Sequence, residues 1–173
     1  SFAGYGYQKD PENKNHLIID EYAAEIVRFI FNLKMGGYSS QRIATKLNEM
    51  GVLPPLEYKR SRGMKYNSGF RSGANPKWAV TTVNRILTNE LYTGTMVQGK
   101  NRKINYKVKE CRPVAEENWI RVEKTHEAII AEEIFQYVQS LLELDTRTAP
   151  DEDSVYLFSG FLRCGDCGQN MVK

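Results

Sequence analysis

The fold is decided by residues 20–51, which read DEYAAEIVRFIFNLKMGGYSSQRIATKLNEMG. Asp20 is placed to cap a helix whose apolar residues recur at helical spacing, and the paired glycines that follow end it. Ser39 can cap a second, shorter helix that stops at Gly51. Two amphipathic helices packed on one core are therefore predicted. Their inward residues are Ala23, Ile26, Val27, Ile30 and Leu33, then Ile43, Ala44 and Leu47.

The segments on either side of this helix pair are less regular. The first nineteen residues contain breakers such as Gly6 and Pro11, so we expect irregular structure there. Pro54 and Pro55 forbid continuation of the second helix. Residues 56–77 are polar and basic without apolar periodicity, which predicts a long loop.

A third helix is predicted from Trp78 or Ala79 to Leu87, with Trp78 as a core anchor at its start. Its inward residues would be Val80, Val83, Ile86 and Leu87. A fourth helix is expected over about residues 131–144, with Ile134, Val138, Leu141 and Leu142 on one face.

Between these two helices the pattern is typical of β-structure. We expect strands at residues 92–97, 104–108 and 119–122, with the basic stretch Gln98 to Lys103 as a hairpin tip. Residues 145–155 are polar and acidic and predict a linker. The chain would then divide into a domain at 1–150 and a small strand–cysteine turn–strand unit at 156–173.

Composition excludes several classes of protein. A chain of 173 residues, 41% hydrophobic, can bury a real core, and no apolar stretch approaches the about 18 residues that span a membrane. No signal peptide is visible, and the three cysteines suggest a reduced, intracellular setting. No Gly-rich phosphate loop, HExxH or GxSxG motif is present. We therefore expect no catalytic centre; His16, His126 and Cys111 are interpreted as surface or packing residues.

The distribution of charge is uneven. Residues 58–112 contain thirteen Lys and Arg but only two acidic residues, a net charge of +11, whereas the whole chain is +3. Aromatic and small polar residues are interleaved with these cations. Such a mixture suits a polyanion with flat bases, so nucleic-acid binding is favoured over a merely solvated face.

The sequence Cys164-Gly165-Asp166-Cys167-Gly168 has the spacing of a zinc-binding turn. A structural zinc site needs four ligands, and no His or Cys follows Cys167. We therefore expect half of a zinc ribbon, whose other pair would lie beyond this chain, and no tightly held metal in the chain itself. A redox interpretation of the motif would need a strand-to-helix junction that the sequence does not predict.

Several motifs in order resemble one family, the recombinase domain and the start of the zinc β-ribbon of large serine recombinases, which include phage serine integrases and resolvase-type transposases. The resemblance covers nearly the whole chain. It rests on Gly4-Tyr5-Gly6-Tyr7, Ile19-Asp20-Glu21-Tyr22-Ala23, Ile26-Val27-Arg28-Phe29-Ile30-Phe31, Gly37-Tyr38-Ser39, Ile43-Ala44, Leu47-Asn48-Glu49-Met50-Gly51, Trp78, Val83, Ile86-Leu87-Thr88-Asn89, Tyr92-Thr93-Gly94 and residues 157–168.

The resemblance implies a sequence-specific duplex-DNA-binding domain from a bacterial mobile element. In the family a separate N-terminal domain carries the serine nucleophile, so this chain would not itself be an enzyme. The resemblance also implies zinc in the full-length protein, with Cys164 and Cys167 as two ligands. It further implies a dimer on DNA, a tetramer in synapsis, and action in the cytoplasm without a membrane partner. The expected fold is α+β: a small helical, helix-turn-helix-like domain with a short antiparallel sheet, followed by a truncated zinc ribbon.

The candidate DNA contacts fall into five groups. The third helix would read base edges, the cations before it and on the second helix would follow phosphates, and the hairpin would add a further grip. The N-terminal segment would lie along the DNA. The residues are Tyr7; Arg42; Lys59, Arg60, Arg62, Lys65, Arg71 and Lys77; Thr81, Thr82, Asn84 and Arg85; and Lys100, Arg102 and Lys103.

Two alternatives stay open on the sequence alone. The first is a stand-alone helix-turn-helix transcriptional regulator with a zinc annex. The second is an RNA-binding or protein-interaction module with a basic loop.

Overall fold

The structure, a computed structural model, describes residues 3–64, 76–103, 110–143 and 162–168. Within these ranges it is α+β, with five α-helices and three two-stranded antiparallel pairings. The fold class is thus confirmed in outline. The predicted strand at 104–108 and the linker at 145–155 lie outside the described residues.

The two helices expected from residues 20–51 are confirmed. Helix α1 spans Glu21–Met35, and the Asp20 side chain accepts from the Ala23 amide at 3.5 Å. Helix α2 spans Ser40–Glu49, and Ser39 Oγ accepts from the Arg42 amide at 3.2 Å. These caps satisfy amides that the first helical turn leaves without a partner. The predicted inner face of α2 is fully buried.

The first nineteen residues are not irregular throughout. Strand β1, Tyr7–Lys9, pairs antiparallel with β2, Leu17–Ile19. The prediction was wrong because strands of three residues are too short to show alternation. Tyr7 and Leu17 are buried in the core, so tertiary packing fixes this hairpin.

The long loop predicted at 56–77 is also wrong in its first part. Residues Pro55–Ser61 form a short helix, α3. Pro55 occupies the first helical turn, where its missing N–H is not needed and its φ suits a helix. The same two prolines that stop α2 therefore allow a new helix to begin.

The remaining helices lie close to their predicted places. Helix α4 spans Val80–Leu87 and buries Val83, Ile86 and Leu87, while Val80 is only half-buried. Helix α5 spans Glu132–Glu143 and buries Phe135 and Val138. Helices α1, α2, α4 and α5 enclose one core around Ile30, Phe31, Leu47 and Tyr92. The sequence did not indicate Phe135 as a core residue.

The β-region differs in detail from the prediction. Residues Glu90–Thr93 form a 3-10 turn instead of the start of a strand. Strand β3, Met96–Gln98, pairs with β6, Ile120–Val122. Strand β4, Asn101–Lys103, pairs with β5, Cys111–Pro113. The stretch Gln98 to Lys103 therefore lies mostly in paired strands rather than at a hairpin tip.

Candidate nucleic-acid interface

Helix α4 presents a polar face to solvent. Residues three and four apart lie on one side of a helix. On this side stand Thr81, Asn84, Arg85 and Thr88, all exposed, whereas Thr82 is half-buried. The opposite side is buried in the core. The face offers hydroxyl, amide and guanidinium groups, which are the groups that hydrogen-bond base edges and phosphates.

A pair of hydrogen bonds fixes the start of α4 against α2. Asn48 Nδ2 donates to the Trp78 carbonyl at 3.1 Å, and the Trp78 amide donates to Asn48 Oδ1 at 2.8 Å. The Trp78 indole is buried and donates to the Val52 carbonyl at 2.9 Å. Trp78 is thus the core anchor that the sequence predicted. The sequence predicted no role for Asn48 itself, although Asn48 lies in the stretch Leu47 to Gly51 that contributes to the family resemblance.

Helix α2 adds cations beside this arrangement. The Arg42 guanidinium lies 5.2 Å from the centre of the Tyr38 ring. The Lys46 ammonium lies 5.4 Å from the same ring. Both are cation–π contacts, which hold the charges in place at the surface. Arg42 is exposed, as its predicted role requires.

The predicted contacts before α4 have different environments. Lys59 Nζ donates to the Ala3 carbonyl at 2.6 Å, and partial burial lowers its pKa. Its ammonium therefore ties the N-terminal segment to α3. Arg60 is exposed and pairs with Glu57 at 2.8 Å. Arg62 and Lys77 are exposed, whereas Lys65 and Arg71 lie outside the described residues.

Tyr7 does not stand at a surface. Its ring is 4% exposed and its hydroxyl donates to the Glu127 carbonyl at 2.9 Å. Burial is the main cause that raises its pKa to about 12. This position does not fit the expected DNA contact, because the ring has no surface to offer. We leave Tyr7 out of the interface.

Tyr5 of the N-terminal segment packs against Tyr58 of α3. The Tyr5 ring meets Tyr58 and Trp78 edge to face, with centroids 5.6 and 5.7 Å away. The Tyr58 hydroxyl lies 3.0 Å from both Asp20 carboxylate oxygens. The Tyr5 hydroxyl is buried and has no hydrogen-bond partner in the part of the chain that the structure describes.

The three cations predicted as contacts at residues 100–103 differ in how exposed they are. Lys100 is half-buried, with its ammonium 4.6 Å from the centre of the Trp119 ring, while Arg102 and Lys103 are exposed. Arg121 contacts the same indole at 5.4 Å and pairs with Glu90 and Glu116 at 2.9 and 2.6 Å. The Trp119 ring therefore contacts two cations, Lys100 just before β4 and Arg121 on β6.

His126 is a packing residue, as expected. It is 8% exposed, and its Nε2 lies 2.7 Å from the Leu91 carbonyl. A carbonyl only accepts, so Nε2 carries the proton and Nδ1 can accept from the Thr125 hydroxyl, 2.7 Å away. Cys111 is exposed on β5.

The turn from Cys164 to Gly168 directs backbone amides toward the first cysteine sulfur. The Gly168 amide donates to the Cys164 carbonyl at 2.9 Å, which closes the turn. Backbone amides of Cys167 and then Asp166 hydrogen-bond the Cys164 sulfur and lower its pKa. Two cysteines at this spacing suit zinc, but no group of three or more ligand-type side chains exists among residues 3–64, 76–103, 110–143 and 162–168. The turn fits two ligands of a zinc site.

None of the helices in the described ranges has the length and apolar character to cross a membrane.

Comparison with known proteins gives concordant matches. Residues 21–145 match the family model described as Recombinase. The chain is 36% identical over 114 residues to "Uncharacterized protein YefB" of Bacillus subtilis (strain 168), covering 61% of this chain and 38% of that protein. It is 31% identical over 186 residues to "Putative DNA recombinase" of the same strain, covering 97% of this chain and 32% of that protein. The chain thus spans about a third of the length of these curated relatives.

Two solved structures share the fold. One is described as "Crystal Structure of a LSR-DNA Complex", with a TM-score of 0.55 at 20% identity, covering 98% of this chain and 42% of that chain. The other is described as "Sequence Requirements of the Listeria innocua prophage attP site", with a TM-score of 0.53 at 22% identity, covering 96% and 53%. At these identities the likeness concerns the fold alone.

Proposed function

The chain belongs to the Recombinase family, as its resemblance to large serine recombinases indicated, and we propose from that premise that it binds duplex DNA in a sequence-specific manner. The proposal makes it the DNA-binding region of a site-specific serine recombinase that integrates, excises or transposes a bacterial mobile element. The two solved structures of like fold concern a DNA complex and an attachment site, which supports this choice of partner.

The exposed face of α4 carries the proposal. Thr81, Asn84 and Arg85 follow one side of a helix whose other side is buried, so they can enter a groove without disturbing the core. The major groove admits an α-helix, and Asn and Arg are the side chains that pair in bidentate fashion with adenine and guanine. Thr81, Asn84 and Arg85 are therefore the proposed base contacts. Thr82, half-buried beside them, is proposed to contact the DNA phosphate backbone.

The surrounding cations are assigned to the phosphate backbone. Lys77 lies three residues before α4, and Arg42 is exposed on α2, which packs against α4. Arg62 lies at the end of α3, and Arg60 shares its charge with Glu57. Lys65 and Arg71 lie outside the described residues, and their positive charge is the basis for proposing them as phosphate contacts. Phosphate contacts of this kind set position and affinity without reading sequence.

The wider assembly is part of the same proposal. The serine nucleophile would belong to another domain of the full-length protein, so no residue of this chain is assigned a catalytic role. Cys164 and Cys167 would hold a structural zinc together with two ligands from elsewhere in that protein. The full-length protein would bind its site as a dimer, form a tetramer in synapsis, and act in the cytoplasm.

The test is a binding measurement on the whole chain. Duplexes enriched from a random pool, unselected duplexes and single-stranded RNA are compared by fluorescence anisotropy over a range of salt. We expect the enriched duplex to bind tightest and every duplex to weaken steeply with salt. Equal binding of single-stranded RNA, or no binding to any duplex, would refute the proposal.

A matched pair of variants separates a direct phosphate contact from general charge. Lys77→Ala should lower the slope of log affinity against log salt by about 0.9, the value for one phosphate that the protein no longer neutralises. Lys14→Ala removes the same charge from an exposed turn between β1 and β2 and should leave the slope unchanged. Equal slopes for the two variants would remove Lys77 from the interface.

A further inference from the structure

The β4–β5 ribbon places like charges opposite one another. The register pairs Arg102 with Arg112 directly across the two strands. The Val114 amide donates to the Lys100 carbonyl at 2.9 Å, which extends the same pairing by one residue on each strand. Side chains alternate between the faces of a strand. Lys100, Arg102 and Arg112 therefore share one face of the ribbon.

Nothing in the described residues neutralises the two arginines. Both are exposed, and neither takes part in an ion pair within residues 3–64, 76–103, 110–143 and 162–168. The acidic groups Glu90 and Glu116 at the base of the ribbon are engaged by Arg121. Glu110, just before β5 and two residues from Arg112, is the nearest carboxylate in sequence; it is exposed and forms no ion pair with Arg112 in the described structure.

Like charges directly opposite destabilise an antiparallel pair. A strand position opposite Arg102 that served only the fold would be better filled by an acidic or neutral residue. The arrangement becomes favourable when a polyanion lies along that face, because each arginine can then take a phosphate. A two-stranded ribbon also has the width that the major groove admits.

We propose that the β4–β5 ribbon is a second duplex-DNA contact, in which Arg112 and Arg102 together bind one stretch of phosphate backbone. Arg112 was not among the residues that the sequence singled out. The proposal rests on the proposed function and extends the interface beyond α4: the ribbon adds affinity on all sequences, and α4 selects among them. The cation–π contacts of Trp119 with Lys100 and Arg121 hold the base from which the ribbon projects.

The decisive variant is Arg112→Glu, because it separates binding from stability. It creates an Arg–Glu cross-strand pair, so the thermal midpoint should stay the same or rise. Affinity should fall by the same factor for enriched and unselected duplexes, and the salt slope should drop by about 0.9 for each phosphate that the ribbon no longer binds. A residue with a merely structural role would instead lower the midpoint when replaced.

The controls keep the outcomes apart. Lys14→Glu makes the same charge reversal in the β1–β2 turn and should leave affinity and slope unchanged. Arg112→Gln, which introduces no new charge, should reproduce the weaker binding to a smaller degree. Wild-type affinity and slope in both Arg112 variants would overturn the ribbon contact while leaving the proposed function intact. Absence of duplex binding by the unmodified chain would instead overturn both.

Discussion

Asn48 holds Trp78 through both of its amide atoms, accepting from the Trp78 N–H at 2.8 Å and donating to its C=O at 3.1 Å. One side chain near the end of α2 thereby replaces the two backbone partners that Trp78 would have in a sheet. The contact spans thirty residues of sequence and sets where α4 begins. The orientation of the proposed base-reading face therefore depends on a residue that does not belong to it.

Replacing the Asn48 side chain should lower stability, and the loss should depend on how many of its two hydrogen bonds the new side chain keeps. Asn48→Ala leaves a half-buried N–H and C=O without partners, and we expect a loss of about 2–4 kcal/mol in the free energy of unfolding. Asn48→Asp keeps the acceptor for the Trp78 N–H and should lose less. Urea unfolding followed by Trp fluorescence measures both. Asn32→Ala, at an exposed position of α1, is the control and should change stability by less than about 0.5 kcal/mol. Equal stabilities for the Ala variants at 48 and 32 would show that the contact is dispensable.

The two sides of α4 should respond differently to truncation. Asn84→Ala or Arg85→Ala should reduce discrimination between enriched and unselected duplexes by about 1–3 kcal/mol without altering the thermal midpoint. Ile86→Ala should instead destabilise the fold by about 2–5 kcal/mol, because Ile86 is buried in the core. Anisotropy and thermal melting on the three variants check this. Equal losses on both kinds of duplex would assign Asn84 and Arg85 to the phosphate backbone.

Two neighbouring tyrosine hydroxyls offer a matched comparison. The Tyr58 hydroxyl donates to the buried Asp20 carboxylate, and Tyr58→Phe should cost about 1.5–3 kcal/mol, as for hydrogen bonds to charged groups. The Tyr5 hydroxyl has no partner in the described structure, so Tyr5→Phe should be neutral or stabilising. Chemical denaturation of both variants gives the comparison. A larger loss for Tyr5→Phe would show that its hydroxyl has a partner, such as a bound water.

Periodicity explains which elements could be predicted. Helices α1, α2 and α5 are long enough for their apolar spacing to repeat, and the caps Asp20 and Ser39 marked two of their starts. The core positions of α2 and the anchoring role of Trp78 followed from the same pattern. These properties are local, because a face and a cap are both encoded within a few residues.

The features that escaped prediction depend on distant contacts. The β1–β2 hairpin has three residues a strand and is fixed by the packing of Tyr7 and Leu17 into the core. Helix α3 begins at Pro55, whose presence was interpreted only as a stop signal. The register that sets Arg102 against Arg112 follows from where the chain reverses, which no residue pattern in β4 or β5 reveals. Tyr7 was mistaken for a surface residue because its partners Leu91 and Glu127 lie far along the chain.

Gly94 and Gly51 should tolerate alanine very differently. Both have positive φ, 84° and 68°, so alanine introduces left-handed strain of about 1–2 kcal/mol at either position. At Gly94 the new Cβ would also lie 2.8 Å from the His126 carbonyl oxygen, whereas at Gly51 it meets nothing within 4 Å. We expect a total loss of about 3–5 kcal/mol at Gly94, measured by urea unfolding. Similar losses at both positions would mean that the turn shifts to relieve the contact.

Stability should fall at alkaline pH, and Tyr7 should account for a defined part of the fall. Burial raises the Tyr7 pKa from 10.0 to about 12, so the folded chain keeps a proton that the unfolded chain releases. The contribution of Tyr7 to stability is therefore complete below pH 10 and is lost as pH rises toward 12, by at most about 1.4 kcal/mol for each pH unit.

Tyr7→Phe should be less stable than the unmodified chain at neutral pH, because it lacks the bond to Glu127, but its stability should decline less steeply above pH 10. Tyr5 and Tyr92, whose pKa values burial also raises, leave a residual slope in both proteins. Tyr137→Phe, at an exposed position of α5, should keep the original slope. Urea unfolding across the alkaline range gives the three slopes, and a Tyr7→Phe slope equal to that of the unmodified chain would show that Tyr7 ionises alike in both states.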